Sequence, residues 1–512
     1  MGSGAVLAAA LCSLIAASPA SATAVRVASD AELASAIALA LPGDSITLAA
    51  GAYAPIAITG RGGPDAELTL RGEPGATIAG LTIVGSTRIA VSDLAVAPAG
   101  ATAYITVTAS SAVTFSRLRV DGGEAGLGAA IWLAADASAV VIRDSTFQHC
   151  ASPMCIRASG PDILVEHNVF DYLADSDAVH GFGSGVIRGN HMDHALPNGN
   201  GNHNDFVQIG EGGPWTIDGN WFGERTSGAA SIWIDSINRG VIHDVLVQNN
   251  VLTGHFTGQD VGIFIAGDDR SVALLPSNVR VINNTVTSGL LNSLRFGRAY
   301  STIPLEQRPL VANNVGDRLA GMCDRIRSVD NVFAVGEACS ASDVIGNAAL
   351  DATGAPTAAS ALLLGRADPS LAPASDFFGC ARTAPPDIGA IELGACPAAP
   401  APPPPTVVAA AAPTTTTRSP LARVKRRARL VTVKARRLAR RVVLVVRCTD
   451  ALRVRAELLA GKRVVSKASR TGSASGRLRF ALRAPRTGRV VIRVRAIGAG
   501  GGAARTIVLA PS

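Results

Sequence analysis

Short runs of β-branched and aromatic residues alternate with Asn- and Gly-rich turns along most of the chain. Three runs are near-copies, Val165–Phe170, Val186–His191 and Thr216–Phe222, and each carries one Asn at the same place. From Asn168 to Asn314 this Asn recurs at intervals of 22, 30, 30, 34 and 30 residues. A repeat of this length is too small to bury its own apolar face, so it predicts a β-solenoid whose coils stack on one another. The repeated asparagines are Asn168, Asn190, Asn220, Asn250, Asn284, Asn314, Asn331 and Asn347.

Asn suits a solenoid corner for two reasons. It tolerates the left-handed backbone conformation that a sharp turn needs. Its side-chain amide can also bond to the same amide in the next coil, about 4.8 Å away. We therefore predict a buried asparagine ladder that fixes the register of the coils. One short apolar strand per coil, typical of a parallel sheet, is predicted at Tyr104–Val107, Ile131–Leu133, Cys155–Ala158, Val179–Phe182, Phe206–Ile209, Ile232–Asp235, Ile263–Ala266 and Ser293–Phe296.

Composition divides the chain into four parts. Residues 1–24 have the short apolar core and small-residue cleavage site of a secretory signal, and no later segment is long enough to span a membrane. Residues 25–396 hold the solenoid, which opens with a predicted cap helix at Asp30–Ala40. Residues 397–420 are a Pro/Ala/Thr-rich linker. Residues 421–512 alternate apolar and basic positions, which favours a small antiparallel β-sandwich similar to immunoglobulin-like or fibronectin-like modules over a disordered tail.

Charge separates the last part from the rest. Residues 421–512 contain 25 of the 47 Lys and Arg residues but only two of the 39 acidic residues, a net charge of +23, whereas residues 1–420 carry −15. All four lysines lie in the basic part, so the solenoid has none. The cysteines that follow the signal suggest the local pairs 150–155, 323–339 and 380–396 and leave Cys448 over, which fits an exported protein.

Two segments carry a family resemblance. The run Ala31–Tyr53 resembles the opening of secreted right-handed parallel β-helix proteins of the pectin-lyase-like superfamily, and is similar above all to the alginate-lyase and chondroitinase-B branch. Pro386–Glu392 resembles the closing motif of many such solenoids. The resemblance implies the fold over roughly residues 25–396, and it implies an acidic extracellular polysaccharide as the ligand.

The strongest candidate site lies in two aligned segments. Asp177 with His180, and Asp205 with Gln208, both place an acid before a strand and a polar group three residues later. The alignment predicts that Asp177 stacks on Asp205 one coil away, and paired carboxylates are a common arrangement for acid/base chemistry. His203 precedes Asp205 by two residues, and His191 and His194 lie in the same connecting segment. We predict Asp177, His180, His203 and Asp205 as catalytic residues, with Asp205 as the first choice of general acid/base. Stacked Asp residues that merely close turns are the alternative.

Further residues are predicted to contact the ligand. Trp132 and Trp233 suit sugar stacking, although core packing explains them equally well. Arg295 and Arg298 suit a uronate carboxylate. Gln208 and Asp235 complete the predicted substrate-binding set. The inserted segments 193–204 and 266–278 are predicted to project from one side and to wall the groove.

Three functions remain open from the sequence. The first is binding, with cleavage as a further hypothesis, of an extracellular acidic polysaccharide near residues 177–235. Glycoside hydrolysis is preferred over elimination, because the lyases that the chain resembles use a Lys/Arg pair and the solenoid contains no lysine. The alternative is a lyase with an Arg or His base and with Ca²⁺ bound by Asp177, Asp205 and Asp235. The second is a non-catalytic cell-wall or surface protein. In both, the basic module is predicted to bind a cell-wall polyanion. The third, nucleic-acid binding by that module, is disfavoured because aromatic residues do not interleave its charges.

Overall fold

The chain divides into two units, Met1–Pro405 and Thr406–Ser512, and each is described by itself. A computed structural model describes residues 22–97, 103–122, 129–150, 154–174, 176–196, 205–225, 230–236, 240–253, 261–267, 270–287 and 292–394, together with the backbone of seven C-terminal strands. The first unit is a right-handed parallel β-helix, as the sequence predicts. Three long parallel sheets, here named A, B and C, run along it with 13, 13 and 10 strands, so most coils contribute one strand to each sheet.

The strands of each sheet follow chain order. Sheet A consists of Ala24–Val27, Ser45–Leu48, Leu68–Gly72, Thr87–Ser92, Ser111–Ser116, Val141–Arg143, Ile163–Glu166, Gly185–Arg188, Trp215–Asp218, His243–Gln248, Ser277–Ile282, Leu310–Ala312 and Arg327–Val329. Sheet B consists of Gly51–Tyr53, Ala76–Ile78, Ala95–Val96, Arg119–Asp121, Thr146–Gln148, Val169–Asp171, His191–Met192, Trp221–Phe222, Val251–Leu252, Thr285–Val286, Val315–Leu319, Val332–Gly336 and Val344–Ile345. Sheet C consists of Ile56–Thr59, Leu81–Val84, Ala103–Thr108, Ala129–Leu133, Met154–Ala158, Asp177–Gly181, Val207–Ile209, Ala230–Ile234, Val261–Ile265 and Asn292–Phe296.

All eight strands predicted at one per coil lie in sheet C. Their alternate residues, such as Ile131, Val179 and Ile232, point inward and join one continuous apolar core. Because side chains alternate between the two faces of a strand, the residues between them point outward. The outer face of sheet C therefore presents one side chain per coil at each register position.

The predicted asparagine ladder is confirmed. Seven asparagines, Asn168, Asn190, Asn220, Asn250, Asn284, Asn314 and Asn331, are buried between sheets A and B. In each step the side-chain oxygen of one Asn accepts the backbone N–H and the side-chain amide of the Asn one coil earlier, at 2.9–3.1 Å. Ser145 continues the ladder upstream and Asp343 ends it downstream. The prediction that Asn347 belongs to the ladder is wrong. Asn347 is exposed, and its side-chain oxygen accepts the N–H of Ala349, two residues later.

Of the two reasons predicted for Asn at the corner, the bond between coils is confirmed and the left-handed backbone conformation is wrong for the ladder Asn itself. The left-handed backbone belongs to the residue before each ladder Asn, for example Asn249 with φ 53° and Asn283 with φ 51°. Gly occupies this position before Asn190 and Asn220. The ladder Asn is therefore selected for its amide, while the preceding residue is selected for its backbone conformation.

The N-terminal end of the solenoid is closed as predicted. The helix Asp30–Leu39 begins at the N-cap Ser29, whose hydroxyl accepts the N–H of Glu32 at 3.3 Å. The Glu32 carboxylate accepts the N–H of Ala28 at 2.6 Å, so the two side chains cap the helix reciprocally. Leu33 and Ile37 face the core and cover the end of the apolar interior.

The exit segment, residues 346–394, folds back over the outer face of sheet B. Its residues Leu363, Ala367 and Ile388 pack against strands of that sheet, and Ala390 packs against Val251. Arg382 fastens this segment, because its guanidinium contacts Glu392 at 3.2 Å and the side-chain oxygen of Asn249 at 2.9 Å. Three 3₁₀ turns lie at Val272–Leu274, Arg298–Thr302 and Leu305–Gln307. A separate two-stranded sheet pairs Leu173–Ala174 with Ala195–Leu196.

The inserted segments lie at different corners. Residues 193–204 connect sheet B to sheet C, whereas residues 266–278 connect sheet C to sheet A. The prediction that both project from one side is therefore wrong, since the two segments border sheet C at its two opposite corners. Disulfides Cys150–Cys155 and Cys323–Cys339 are confirmed, and Cys380 is disulfide-bonded as well. Its predicted partner, Cys396, lies outside the described residues, as do residues 1–21 of the predicted signal and the linker 397–420.

The second unit contains two antiparallel sheets. Three strands form the first, Arg429–Leu438, Arg441–Thr449 and Gly476–Arg483, and four form the other, Arg463–Thr471, Arg453–Ala460, Val490–Gly498 and Gly501–Leu509. The likeness to immunoglobulin-like modules, the unpaired Cys448 and the four domain boundaries stay predictions. Among the described residues, no helix has both the length and the apolar character that a membrane crossing requires.

Candidate functional site on the outer face of sheet C

One register position on the outer face of sheet C carries a large side chain on seven successive coils. We name this row the sheet C ridge. Its spacing is one coil, about 4.8 Å, so six steps span about 29 Å. The ridge consists of Trp132, Arg157, His180, Gln208, Trp233, Phe264 and Arg295. Five of the residues predicted from the sequence are thus brought together on one line: Trp132, His180, Gln208, Trp233 and Arg295.

The first half of the ridge is built around Arg157. Its guanidinium lies over the ring of Phe182 at 4.3 Å and over the ring of Trp132 at 5.3 Å. Its Nε donates to the Ser159 hydroxyl at 3.2 Å. The His180 ring stacks on Phe182 with ring centroids 4.3 Å apart. These contacts hold Arg157, which is half-buried, by cation–π attraction.

The second half of the ridge is aromatic and ends in a cation. Trp233 stacks on Phe264 at 4.1 Å, and the guanidinium of Arg295 lies over the Phe264 ring at 5.4 Å. Gln208 is buried between His180 and Trp233. Trp132 is the most open ring of the ridge, with 41% of its surface exposed. Both tryptophans therefore lie on the outer face and outside the main apolar core. Trp233 also packs against the small buried cluster of Ala230, Val261 and Phe264, so packing stays an alternative for Trp233.

Asp177 and His180 form a pair at the start of this face. They belong to the strand Asp177–Gly181, and Nδ1 of His180 lies 3.2 Å from Oδ2 of Asp177. The other oxygen of Asp177 accepts the backbone N–H of Asp205 at 3.0 Å. One carboxylate is therefore fixed by the next coil on one side and faces an imidazole on the other.

Asp205 stacks directly after Asp177, as the alignment predicts, but its surroundings differ. Asp205 is 0% exposed, and its Oδ1 accepts the backbone N–H of Ala230 at 2.9 Å. Asp177 and Asp205 thus form a short carboxylate ladder that resembles the asparagine ladder in its bonding. The acid/base role of Asp205 stays a prediction, and His203 lies outside the described residues.

Asp235 and Arg298 are not part of the ridge. Asp235 follows the strand Ala230–Ile234, five residues beyond the position level with Asp205, which corresponds to about 16 Å. Both its oxygens are bound by Arg270, at 2.8 and 2.9 Å. Arg298 is exposed in the 3₁₀ turn that follows the last strand of sheet C.

This placement bears on the Ca²⁺ hypothesis. Asp177 and Asp205 lie together, but Asp235 lies at the far end of its strand and is engaged by a guanidinium. The three carboxylates therefore cannot converge on one ion. The prediction of a Ca²⁺ site formed by all three is wrong. One other group in the described ranges has metal-ligand spacing, Cys323, Glu337 and Cys339, and its two cysteines form a disulfide.

His191 and His194 belong to the sheet B side and do not join the ridge. His191 stacks on Trp221 at 4.2 Å. His194 stacks on Tyr172 at 5.0 Å, and its Nδ1 lies 2.8 Å from the Asp171 carboxylate. Burial acts to lower the pKa of His194, but the hydrogen bond to Asp171 and the nearby acidic charges outweigh it, so the pKa is raised. The histidine cluster seen in the sequence is therefore divided between two sheets.

Sequence reasoning missed Arg157, Phe182 and Phe264. The signal was present, because Cys155–Ala158 and Val179–Phe182 were predicted as strands of successive coils. The structure sets their register, in which Arg157 is paired with His180. Polar or aromatic residues at the outward position of successive coils would have identified the ridge without reference to any acid.

No protein-family model matches the chain, and no curated protein matches it either. Solved structures that share the solenoid architecture include an alginate lyase of family PL6, AlyGC, with a TM-score of 0.37 and 16% identity over 60% of this chain. The catalytic domain of a GH87 alpha-1,3-glucanase has a TM-score of 0.39 and 13% identity over 65% of this chain and 69% of its own. Pectate lyase Pel9A has a TM-score of 0.36 and 16% identity over 73% of this chain and 97% of its own. The chain spans about half the length of the alginate lyase, 53%. The parallel β-helix itself rests on the three sheets described above.

Proposed function

We propose that this chain binds a polysaccharide along the sheet C ridge. The ridge is the observation that carries the proposal, because it places aromatic rings, guanidinium groups and an amide in one line about 29 Å long. Aromatic faces accept the C–H faces of sugar rings, and guanidinium and amide groups bond to hydroxyls or carboxylates. A polymer that lies along the solenoid axis meets the more open members of this row, Trp132, Arg157, Trp233 and Arg295. The buried members, His180, Gln208 and Phe264, lie between them and support their positions.

An acidic polymer fits the ridge better than a neutral one. Arg157 is held by aromatic rings and a hydroxyl, with no carboxylate partner in the described ranges. A guanidinium in this state favours a carboxylate from a ligand, with which it forms two parallel hydrogen bonds. Arg295 ends the ridge, and Arg298 follows it within three residues, so both stay candidates for further carboxylates. Asp235 is less suited to the ligand because Arg270 occupies it.

Cleavage by the Asp177–His180 pair is the second step of the proposal. In this step the Asp177 carboxylate, 3.2 Å from Nδ1, orients the imidazole. Nε2 takes or gives the proton, and because both ring nitrogens are buried, the step requires that ligand binding opens this position. The same pair serves hydrolysis or β-elimination at a uronate. We assign Asp205 a positioning role in place of the acid/base role predicted from the sequence, because its N–H fixes Asp177 and its own side chain is fully buried.

The full chain tests both steps against a panel of neutral and acidic polysaccharides. Binding is measured by affinity electrophoresis, and cleavage by new reducing ends and by unsaturated-uronate absorbance. We expect His180→Gln to remove turnover and to retain binding. Trp132→Ala should weaken binding about tenfold, which corresponds to about 1.4 kcal/mol.

The matched control is Tyr172→Ala, since Tyr172 is similarly exposed but lies on the sheet B side. Its binding should equal that of the unmodified chain. Equal loss in Trp132→Ala and Tyr172→Ala would contradict the ridge as the binding surface.

A non-catalytic binding protein is the second candidate function. The carboxylates of Asp177 and Asp205 each accept a backbone N–H of the next coil, which is a sufficient structural reason for both acids. Under this alternative a polysaccharide is bound but never cleaved, and Asp177→Asn lowers stability without any change in product.

The C-terminal unit supplies a second proposed contact, to a cell-wall polyanion. The net charge of +23 on residues 421–512 attracts polyanions at long range, and the attraction should fall steeply with salt. The full chain and a chain ending at residue 396 are titrated with heparin at rising ionic strength. Salt-independent binding, or equal binding by the two chains, would contradict this contact. Export from the cell, which the disulfides favour, is part of the same proposal.

A further inference from the structure

A cavity of about 380 Å³ opens at the corner where sheet C connects to sheet A, among the last coils. It lies between the 3₁₀ turn Val272–Leu274 and the turns that span residues 298–307. This volume is at the lower end of the range for small-molecule sites. The cavity is distinct from the sheet C ridge, since its lining comes from the connecting turns and from sheet A.

Two arginines line this cavity and are held by neutral groups. Arg308 donates from Nε to the carbonyl of Ile303 at 3.1 Å and from Nη2 to the carbonyl of Ser301 at 3.3 Å. Arg327 donates from Nε to the carbonyl of Arg308 itself, at 3.1 Å. Both guanidinium groups are thus bonded to backbone carbonyls of residues 301–308. Within the ranges that the structure describes, neither forms an ion pair with a carboxylate.

The rest of the lining is largely apolar. Leu275 and Pro276 are buried, Ile303 is half-buried, and Val272 stands at the mouth with 51% of its surface exposed. Tyr300 lies fully buried at the lining, and its hydroxyl donates to the carbonyl of Pro276 at 2.6 Å. Burial raises the pKa of this phenol, so the floor of the cavity stays uncharged.

The charges of the lining limit the ligand. Glu306 is exposed at the rim, so the lining has two guanidinium groups against one carboxylate. Asn278 is also at the rim, but its amide is engaged by Asp244 at 2.6 Å. A ligand with several negative charges would meet repulsion from Glu306 and Asp244, whereas one carboxylate would match the excess positive charge.

We propose that this cavity binds a small monocarboxylate with an apolar body, its carboxylate on Arg308 and Arg327 and its body against Val272 and Ile303. Arg–carboxylate pairs form two parallel hydrogen bonds, and a guanidinium already oriented by backbone carbonyls loses little freedom on binding. The inference is independent of polysaccharide binding at the ridge, because the two surfaces share no residue.

Calorimetric titration of the full chain with cyclohexanecarboxylate tests the proposal, with the neutral cyclohexanecarboxamide as the matched ligand. We expect the carboxylate to bind and the amide to bind at least about tenfold more weakly. Arg308→Met should lower the affinity for the carboxylate by about tenfold or more, while Arg143→Met, which removes an exposed arginine elsewhere on sheet A, should leave it unchanged.

A second variant guards against a folding defect. Val272→Glu changes an exposed side chain at the mouth and should leave the melting temperature unchanged while it repels the carboxylate. Binding that is equal in Arg308→Met, Val272→Glu and the unmodified chain would overturn the proposal. Equal affinity for the carboxylate and the amide, or no heat of binding at millimolar ligand, would overturn it as well.

Discussion

Replacement of Asn220 by Ala should weaken the solenoid at its middle. The Asn220 side chain makes four hydrogen bonds: its oxygen accepts the backbone N–H and the amide of Asn190, and its nitrogen donates to the carbonyl of Ile187 and to the side-chain oxygen of Asn250. Asn190 and Asn250 retain other partners for their side-chain atoms. The backbone N–H of Asn190 is the group that the substitution leaves unsatisfied, because it donates to the Asn220 side-chain oxygen. The carbonyl of Ile187 loses the amide donor of Asn220 but lies within the sheet A ladder.

An unsatisfied buried group costs about 1–3 kcal/mol, so Asn220→Ala should lower the free energy of unfolding by about 1–3 kcal/mol. The lower half of this range is expected, because the void left by the side chain can admit a water molecule. Urea denaturation measures the global loss, and hydrogen exchange of the coils around residues 187–250 shows where it occurs.

Asn347→Ala is the matched control, since Asn347 is exposed and lies outside the ladder. Its free energy of unfolding should stay within about 0.5 kcal/mol of the unmodified chain. Equal stability of the two variants, or exchange that rises throughout the solenoid without a maximum near Asn190, would refute the ladder as the source of coil register.

Two further predictions concern other parts of the solenoid. Arg382→Met should destabilise the exit segment by about 3–5 kcal/mol because it strands the fully buried Glu392, whereas Arg366→Met at an exposed position should not; equal urea midpoints would contradict the buried pair. The raised pKa of His194 stabilises the fold below the ordinary value of 6.5, and this contribution is lost as pH rises through the folded-state pKa. The stability difference between the unmodified chain and His194→Gln should therefore be largest near about pH 5 and shrink toward about pH 9; a difference that does not vary with pH would contradict the pairing with Asp171.

The sequence predicted the fold well because the solenoid repeats one physical problem at every coil. Each corner needs an amide that bonds along the stack, and each strand needs an apolar residue that points inward, so Asn220 and Val179 are recognisable from spacing alone. Asn347 was misplaced because its neighbours resemble a ladder corner, while the position it was expected to fill is occupied by Asp343, whose carboxylate accepts the same donors.

The site was harder to predict because it depends on which face a residue occupies and on contacts that no spacing reveals. The sequence placed Asp177 and Asp205 correctly relative to one another. It did not show that Asp205 is buried and accepts the backbone N–H of Ala230 in the following coil. Asp235 has the residue type of a metal ligand, but Arg270, 35 residues later, occupies it. Pairing between distant segments therefore decided what the individual acids could do.

A crystal structure of the chain with a bound acidic oligosaccharide tests the proposed site most directly. We expect the sugar chain to lie along the sheet C ridge, with one ring against Trp132 and a carboxylate on Arg157. An oligosaccharide bound on the outer face of sheet A or sheet B, with the ridge left unoccupied, would contradict the proposal.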